Sequence, residues 1–392
     1  MCIRDRRRAV DRLRGALEGS VTRQLVADVP VGVFLSGGLD SSTLSAIARR
    51  RVSGPLRTFS VGFEGPDAVS ELPSAREIAD FLGSDHHELM MDPEEVARDL
   101  EQIIDSLDTP LADPTAIPTW YMSRLARERV TVALSGEGAD EIFGGYARQR
   151  FDVALDRIGW VGRKLLPAAM LLAGKKSSTR FARRLRMTPG LERQLDWGRL
   201  FSGAEIERLV ETRSVDEAAI HGPYAELARR WLEWANVDPV NGRLEADRCT
   251  FLPGDLLPKV DRMSMAHSLE VRVPYLDNEV VDLVLALPGR FKQNMRRDKI
   301  LLREVASSLL PEAGSLRRKR GFEVPIGAWL RGPLRPTLNE LLSPTNVAGP
   351  GILRAADVSR LVDEHLEGGR DHGRALWSLM VLTRWLAQGG AP

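Results

Sequence analysis

The chain has 392 residues, of which 43% are hydrophobic, 28% charged and 6% aromatic. This length and composition predict a soluble globular chain of roughly two or three domains. With 55 Lys and Arg against 54 Asp and Glu, the overall charge gives no reason to expect nucleic acid or a membrane as a partner. No apolar run reaches the roughly 18–20 residues of a membrane span, and two cysteines are too few for a disulfide framework, so a cytoplasmic location is expected.

Short β-rich runs alternate with amphipathic stretches in the first part of the chain. Strands are predicted over residues 31–35, 56–61, 87–90 and 130–134. Helices are predicted over residues 42–51, 74–82, 93–107 and 117–129. This alternation predicts an α/β fold with a doubly wound parallel sheet, in which ligands bind at the carboxyl ends of the strands.

After residue 146 the spacing of apolar residues becomes helical. Helices are predicted over residues 155–173, 204–212, 225–236, 243–252, 280–287, 299–309, 355–366 and 375–386. The basic residues 175–189 are interpreted as a surface segment rather than a nucleic-acid site. We therefore predict three parts: a helical lead-in over 1–30 that is a linker or partly non-native, an α/β core over 31–150, and a helical portion over 151–392.

The first loop whose residues suggest a binding or catalytic role is Ser36-Gly-Gly-Leu-Asp-Ser-Ser42. It follows the first predicted strand and leads into a predicted helix. Its two glycines let backbone N–H groups converge, and three serine hydroxyls add donors at the positive end of a helix. The loop lacks the Lys of a Walker A motif but still predicts a phosphate cradle. Asp40 would repel a phosphate unless a divalent cation lay between them, so Mg²⁺ is implied.

The second loop is Ser135-Gly-Glu-Gly-Ala-Asp-Glu141, which follows the fourth predicted strand. It places three acids, Glu137, Asp140 and Glu141, within five positions. A solvent-exposed loop could also carry acids. The abundant glycines and the apolar Ile-Phe pair that follows favour close approach to a ligand instead.

Two later stretches contain isolated lysines in a chain whose basic residues are mostly arginine. In residues 255–277, Asp255, Lys259 and Arg262 would share one face of a helix, which is equally typical of a surface salt-bridge row. In residues 317–325, Lys319 stands among arginines before a Gly-Phe turn. A lysine kept among arginines suggests that a compact ammonium is needed there.

In this order and at this spacing, the four stretches resemble the synthetase portion of the glutamine-dependent asparagine synthetases of class B type. The first loop alone is shared with argininosuccinate synthetases, GMP synthetases and tRNA-modifying enzymes; joined to the second loop and to Lys259-Val-Asp-Arg262, it becomes specific. The resemblance covers about residues 10–386. It implies the fold of the adenine-nucleotide alpha-hydrolase-like, pyrophosphate-loop type, with a mostly helical C-terminal portion that completes the site.

The resemblance implies ATP-dependent synthesis of asparagine. The side-chain carboxylate of aspartate would attack the α-phosphorus of ATP to give β-aspartyl-AMP and pyrophosphate, and ammonia would then displace AMP. Homodimerisation is left open, and neither nucleic acid nor a membrane is expected as a partner.

The family pattern also assigns residues. Those assigned to ATP are Leu35, Ser36, Gly37, Gly38, Asp40, Ser41, Ser42, Val61, Ser135 and Gly136. Asp40 and Asp140 would hold Mg²⁺. Glu137 would position ammonia and accept its proton, and Lys319 would bind the phosphates in the transition state. The less definite matches near the site are Lys259, Asp261 and Arg272.

The start of the chain departs from the family. The full-length enzymes carry an N-terminal glutaminase domain whose terminal Cys hydrolyses glutamine. Here Met1-Cys2 is followed by Ile-Arg-Asp instead of Gly-Ile, and the first loop already begins at residue 36. We therefore expect that Cys2 is not a nucleophile and that the chain is a fragment of a longer enzyme, rather than one that uses free ammonia or a separate glutaminase.

Two alternatives come from other classes. One is a different adenylating amide-forming enzyme, of the β-lactam synthetase or lasso-peptide cyclase type, which would usually alter the second loop. The other is a non-catalytic nucleotide-binding module, which would be expected to lose Asp40, Glu137 or Lys319. The second loop and all three residues are intact.

Overall fold

A parallel β-sheet lies at the centre of the computed structural model, which describes residues 3–63, 70–155, 184–185, 187, 191–211, 233–234, 237–311 and 324–390. Within these residues the sheet has five strands in the order β3-β2-β1-β4-β5. The strands are β1 (Val31–Phe34), β2 (Arg57–Phe63), β3 (Asp85–Met91), β4 (Val132–Leu134) and β5 (Glu270–Arg272). The predicted doubly wound α/β fold is confirmed.

The strand order contains one reversal, between β1 and β4. From β1 the chain moves outward to β2 and β3, then returns to place β4 on the other side of β1. Parallel sheets bind ligands at such a switch point, beyond the carboxyl ends of the two strands. The two glycine-rich loops follow β1 and β4, so the topology brings them together.

The fifth strand was not predicted. Glu270 N donates to Thr131 O at 3.0 Å, and Ser135 N donates to Arg272 O at 2.8 Å, so β5 is hydrogen-bonded alongside β4. Three residues are too few to show the two-residue periodicity that marks a strand.

Helices cover both faces of the sheet. The six in the first part of the chain are α1 (Ile3–Gln24), α2 (Leu39–Arg49), α3 (Leu72–Leu82), α4 (Pro93–Asp105), α5 (Ala116–Arg127) and α6 (Ala139–Phe143). On one face, Val33 packs in a buried cluster with residues of α1, α2 and α3. On the other face, Phe34 and Phe59 pack with Ala126 of α5. Side chains that alternate along a strand account for these two cores.

The later part of the described chain is mainly helical, as predicted. Its α-helices are Leu191–Gly198, Gly203–Leu209, Pro239–Cys249, Leu257–Met265, Asn278–Leu285, Ile300–Ala306, Ile326–Arg331, Arg335–Leu341, Pro344–Ala348, Ala355–Leu366 and Gly373–Ala387. A π-helical turn, Leu252–Leu256, joins two of them. The helices predicted over 155–173 and 225–236 and the basic segment 175–189 lie mostly outside the described residues.

The N-terminal helix α1 belongs to the packed core. Its Leu13, Leu17 and Val21 have no solvent exposure, and the Ser20 hydroxyl donates to Pro274 O at 2.8 Å. The segment predicted as a helical lead-in thus packs its apolar face in the core. The boundaries proposed at residues 30 and 150 stay predictions.

A buried lysine links two helical segments outside the sheet. Lys292 has no solvent exposure, and its ammonium donates to Asn241 Oδ1 at 2.7 Å. The amide of Asn241 in turn donates to Leu287 O at 3.1 Å. Burial lowers the pKa of Lys292 to about 8.

This lowered pKa predicts a pH dependence of stability. Between pH 8 and the ordinary lysine value of 10.5, the unfolded chain holds more protons than the folded one, so this group makes the free energy of unfolding rise with pH. Relative to Lys292→Met, the wild type should gain about 3 kcal/mol across that range. Urea unfolding of both proteins at pH 8 and pH 10 measures the gain. A constant difference between them would contradict the lowered pKa.

Candidate functional site

A cavity of about 800 Å³ opens at the switch point of the sheet. It is lined by both glycine-rich loops and by residues from the later helices, among them Lys259, Lys299 and Arg374. The two loops touch: a Cβ added at Gly136 would lie 3.3 Å from both Asp40 Cβ and Ser41 N. The structure therefore joins two sequence motifs a hundred residues apart in one site.

The first loop is held by its own hydroxyl groups. Ser36 N donates to Ser41 Oγ at 3.1 Å, the two serine hydroxyls lie 2.9 Å apart, and Gly38 N donates to Ser36 Oγ at 3.3 Å. The loop ends at the N-terminus of α2, where no described side chain caps the helix. Uncapped N–H groups at a helix N-terminus suit an anion such as a phosphate. Ser42, also predicted for ATP, is fully buried within α2 and is not part of the cavity lining.

Gly37 allows this loop to lie against α3. Its φ of +71° is in the left-handed region, and an added Cβ would lie 2.4 Å from Ser74 C and 2.5 Å from Ala75 N. A side chain would therefore face both backbone strain and a collision with backbone atoms.

Gly37→Ala is expected to weaken binding of ATP, the ligand that the sequence predicts for this loop, by at least about tenfold, because the loop must move away from α3. The matched control is Gly83→Ala, since Gly83 also has a positive φ (+59°) but nothing within 4 Å of an added Cβ. The control should show only the roughly 1 kcal/mol cost of a left-handed alanine. Isothermal titration with ATP measures the first effect and thermal melting the second. Equal ATP affinity in the two variants would contradict the role of Gly37.

The side of the cavity predicted for adenosine is apolar. Leu35, which follows β1, and Val61 of β2 are 1% and 4% exposed. Both line the cavity, together with Met122 of α5. The Ser60 hydroxyl donates to Leu35 O and fixes the backbone there. An apolar wall of this kind suits a purine ring.

Lys299 joins Asp40 and Asp140, the two carboxylates predicted for Mg²⁺. Its ammonium donates to Asp40 Oδ2 at 2.6 Å and lies 2.5 Å from Asp140 Oδ1. Sequence reasoning placed Lys299 at the start of a helix and missed it as a site residue. The only signal was its rarity as a lysine in an arginine-rich chain.

The lysine is tightly enclosed. Its side chain is 3% exposed, and its backbone has a positive φ of +45° just before the helix Ile300–Ala306. An added Cβ at Gly145 would lie 2.2 Å from Lys299 Cε, so only a glycine leaves room for the lysine there. Burial acts to lower the pKa of Lys299, but the attraction of Asp140 and Asp40 outweighs it, and the pKa lies above its usual range.

Two further contacts shape the second loop and Asp40. Tyr275 follows β5 in the chain, and its hydroxyl donates to Asp40 O at 2.9 Å. In the second loop, burial and repulsion from Asp140 raise the pKa of Glu141 to about 8, and the Tyr146 hydroxyl donates to Glu141. Glu141 is thus mostly neutral near pH 7.

A second buried lysine, Lys259, lines the part of the cavity near Glu137. Lys259 is 4% exposed, and its ammonium donates to Asp113 Oδ2 at 2.9 Å and to Thr115 Oγ1 at 2.8 Å. Burial lowers the pKa of Lys259, but attraction to Asp113 and Glu137 outweighs this and raises it. The alternative of a surface salt-bridge row is therefore wrong for Lys259.

The surroundings of Lys259 carry charges of both signs. Glu137 and Arg374 line the cavity. Asp255, in the π-helical turn, has its pKa raised to about 6 by burial and by repulsion from Asp113, against the attraction of Lys259 and Arg374. This mixture of fixed charges is suited to a zwitterionic ligand.

Two further predicted site residues, Asp261 and Arg272, do not line the cavity, as was found for Ser42. Asp261 is exposed, and its carboxylate pairs with Arg262 at 2.9 Å. Arg272 points toward the end of α1, where its Nη1 donates to Gln24 O at 2.6 Å and to Val26 O at 2.8 Å. Lys319, like Cys2, lies outside the described residues.

The residues present fit a magnesium ion. Asp40 and Asp140 converge on one cation, the Lys299 ammonium, which shows that both carboxylates reach a common point. In the part of the chain that the structure describes, no group of three or more His, Cys, Asp or Glu side chains could hold a metal ion. Mg²⁺ commonly uses only one or two protein carboxylates and takes its other ligands from substrate phosphates and water.

The chain is similar to known proteins over nearly its whole length. The asparagine synthase family matches residues 12–387. A Bacillus subtilis (strain 168) protein named asparagine synthetase (glutamine-hydrolyzing) 1 is 34% identical over 382 residues, which cover 96% of this chain and 59% of that protein. Another from the same organism, asparagine synthetase (glutamine-hydrolyzing) 3, is 30% identical over 328 residues, covering 80% of this chain and 48% of that protein. The chain thus spans less than two thirds of the length of these relatives.

The helices give no sign of a membrane segment. Every helix within the described ranges is too short or too polar to cross a bilayer.

Proposed function

Because the chain belongs to the asparagine synthase family, we propose that its cavity joins the side-chain carboxylate of aspartate to AMP, at the expense of ATP, and then transfers ammonia to that carbonyl. The observation that carries this proposal is the meeting of the two glycine-rich loops in one cavity. One loop offers a phosphate cradle, and the other offers acids next to the same space. The names of the relatives point to the same activity.

ATP would lie across the switch point. Its adenosine would contact Leu35, Val61 and the backbone at Ser135 and Gly136. Its phosphates would lie on the loop from Ser36 to Ser41. When bound, Mg²⁺ would neutralise charge on the phosphates, and Asp40 and Asp140 would hold it. Lys319 is proposed to contact the same phosphates.

Aspartate would lie between the phosphate cradle and Lys259. Its side-chain carboxylate must reach the α-phosphorus, so its α-amino and α-carboxylate groups would face Lys259, Asp255 and Arg374. The ammonium of Lys259 is held by Asp113 and Thr115, so it is already oriented before substrate binds. Preorganised charges of this kind stabilise developing charge without reorganisation.

In the first step a carboxylate oxygen forms a bond to the α-phosphorus, and the bond from that phosphorus to the bridging oxygen breaks. Pyrophosphate leaves with that oxygen, next to the loop N–H groups at Gly37 and Gly38. In the second step the nitrogen of ammonia forms a bond to the β-carbonyl carbon, and AMP leaves with the transferred carboxylate oxygen. Glu137 would accept a proton from the attacking nitrogen.

The experiment is a product analysis of the purified chain with ATP, Mg²⁺, ammonium and either aspartate, glutamate or no amino acid. We expect AMP, pyrophosphate and asparagine in equal amounts, and only when aspartate is present. Release of pyrophosphate without aspartate, release of ADP instead of AMP, or no reaction from a folded protein that binds ATP would contradict the proposal. The last outcome would favour a non-catalytic nucleotide-binding module.

A further inference from the structure

The carboxylates of Asp40 and Asp140 are both paired with a positively charged side chain of the protein, that of Lys299. Lys299 Nζ lies 2.6 Å from Asp40 Oδ2 and 2.5 Å from Asp140 Oδ1, in a side chain that is 3% exposed. A metal ion bound by both carboxylates would need the place that the ammonium occupies. The ammonium and a bridging metal ion therefore exclude each other.

The lysine is placed there by specific features of the fold. Its backbone has φ +45°, a left-handed conformation that is unfavourable for a non-glycine residue. Gly145 leaves room for both partners, since an added Cβ there would overlap Asp140 Oδ1 and lie 2.2 Å from Lys299 Cε. Strain of this kind persists where the surrounding structure enforces it, commonly at functional sites.

Displacing the ammonium has an electrostatic cost. Moving the ammonium away from Asp40 and Asp140 would leave a buried lysine without its partners, and breaking a buried ion pair is strongly unfavourable. A lone divalent cation brings no anion to receive the displaced ammonium. A nucleotide polyphosphate does, because it carries several negative charges into the same cavity.

We propose that the Lys299 ammonium occupies the position between Asp40 and Asp140 and so prevents a free divalent metal ion from binding there. The metal would bind at this site only together with a polyphosphate. The inference rests on the proposed function, since it takes the cavity to be a site for ATP. It goes further by giving a binding order: metal and nucleotide arrive together, and metal alone does not bind. Lys299 is in this sense a positioning residue that acts through the two carboxylates.

The test measures Mn²⁺ binding by electron paramagnetic resonance, with Mn²⁺ as the probe for a magnesium site. The proteins are the full chain as wild type and as Lys299→Met. Without nucleotide, the wild type should bind no Mn²⁺ at this site, whereas Lys299→Met should bind one ion at least about a hundredfold more tightly. With the non-cleavable analogue α,β-methylene-ATP, the wild type should bind Mn²⁺ as well.

Two controls locate the effect. The double variant Lys299→Met/Asp140→Asn should lose the metal site that Lys299→Met gains. Lys292→Met removes another fully buried lysine, one bonded to Asn241 outside the cavity, and should gain no metal site. If Lys299→Met does not fold, Lys299→Gln replaces it. Thermal melting gives a second readout, because Mn²⁺ alone should raise the melting temperature of the Lys299 variant but not of the wild type.

Nucleotide-free wild type that binds Mn²⁺ as tightly as the folded Lys299 variant would overturn the inference. So would a folded Lys299 variant that gains no metal site. A wild type that shows the expected metal exclusion but forms no pyrophosphate from ATP and aspartate would instead contradict the proposed function. The two failures are thus distinguishable.

Discussion

Asp40→Asn is expected to lower aspartate-dependent pyrophosphate release by about a thousandfold, since metal-assisted charge stabilisation contributes several kcal/mol to such a transition state. Asp40 lies where the first loop enters α2, its carboxylate converges with that of Asp140, and Tyr275 fixes its backbone. An amide keeps the shape of the side chain but loses the negative charge. The measurement is a coupled pyrophosphate assay at saturating ATP and aspartate.

Asp85→Asn is the matched control for this change. Asp85 is exposed at the start of β3, outside the cavity lining, so its variant should release pyrophosphate at the wild-type rate. Melting curves would show that both variants are folded. An Asp40→Asn protein that is folded and as active as the Asp85 control would contradict the role given to Asp40.

Glu137→Gln is expected to separate the two steps. Adenylation needs no proton acceptor, so pyrophosphate release should continue, whereas asparagine formation should fall by about a hundredfold or more, the usual contribution of a general base. Glu137 lines the cavity and is close enough to Lys259 to raise its pKa. The ratio of asparagine to pyrophosphate is therefore the informative measurement.

The control for Glu137 is Glu128→Gln, an exposed carboxylate just after α5. It should keep one asparagine per pyrophosphate. If Glu137→Gln also keeps that ratio at an unchanged rate, Glu137 is not the proton acceptor of the second step.

Local patterns were sufficient to predict four of the five described strands and the two loops. The β1 and β4 strands are short apolar runs, each followed directly by a glycine-rich segment, and that order determines which loops meet at the switch point. The β5 strand was not predicted because three residues are too few to show the alternation of apolar and polar residues that marks a strand. Its partner β4 lies more than a hundred residues earlier in the chain.

The charged contacts of the site were harder to predict. Lys299 reaches Asp40 across 259 positions of sequence, and Lys259 reaches Asp113 across 146. Such pairs depend on how helices pack, which no local pattern records. Arg272 illustrates the reverse error: it follows the family pattern in sequence, yet its guanidinium bonds to carbonyls at the end of α1 instead of entering the cavity.

The path of one oxygen atom tests the proposed adenylation most directly. If the side-chain carboxylate of aspartate attacks the α-phosphorus, AMP must leave with one of its oxygens. With aspartate labelled by ¹⁸O in that carboxylate, mass spectrometry of the products should find one ¹⁸O atom in each AMP and none in pyrophosphate. Unlabelled AMP, or the label in inorganic phosphate together with ADP, would contradict the mechanism.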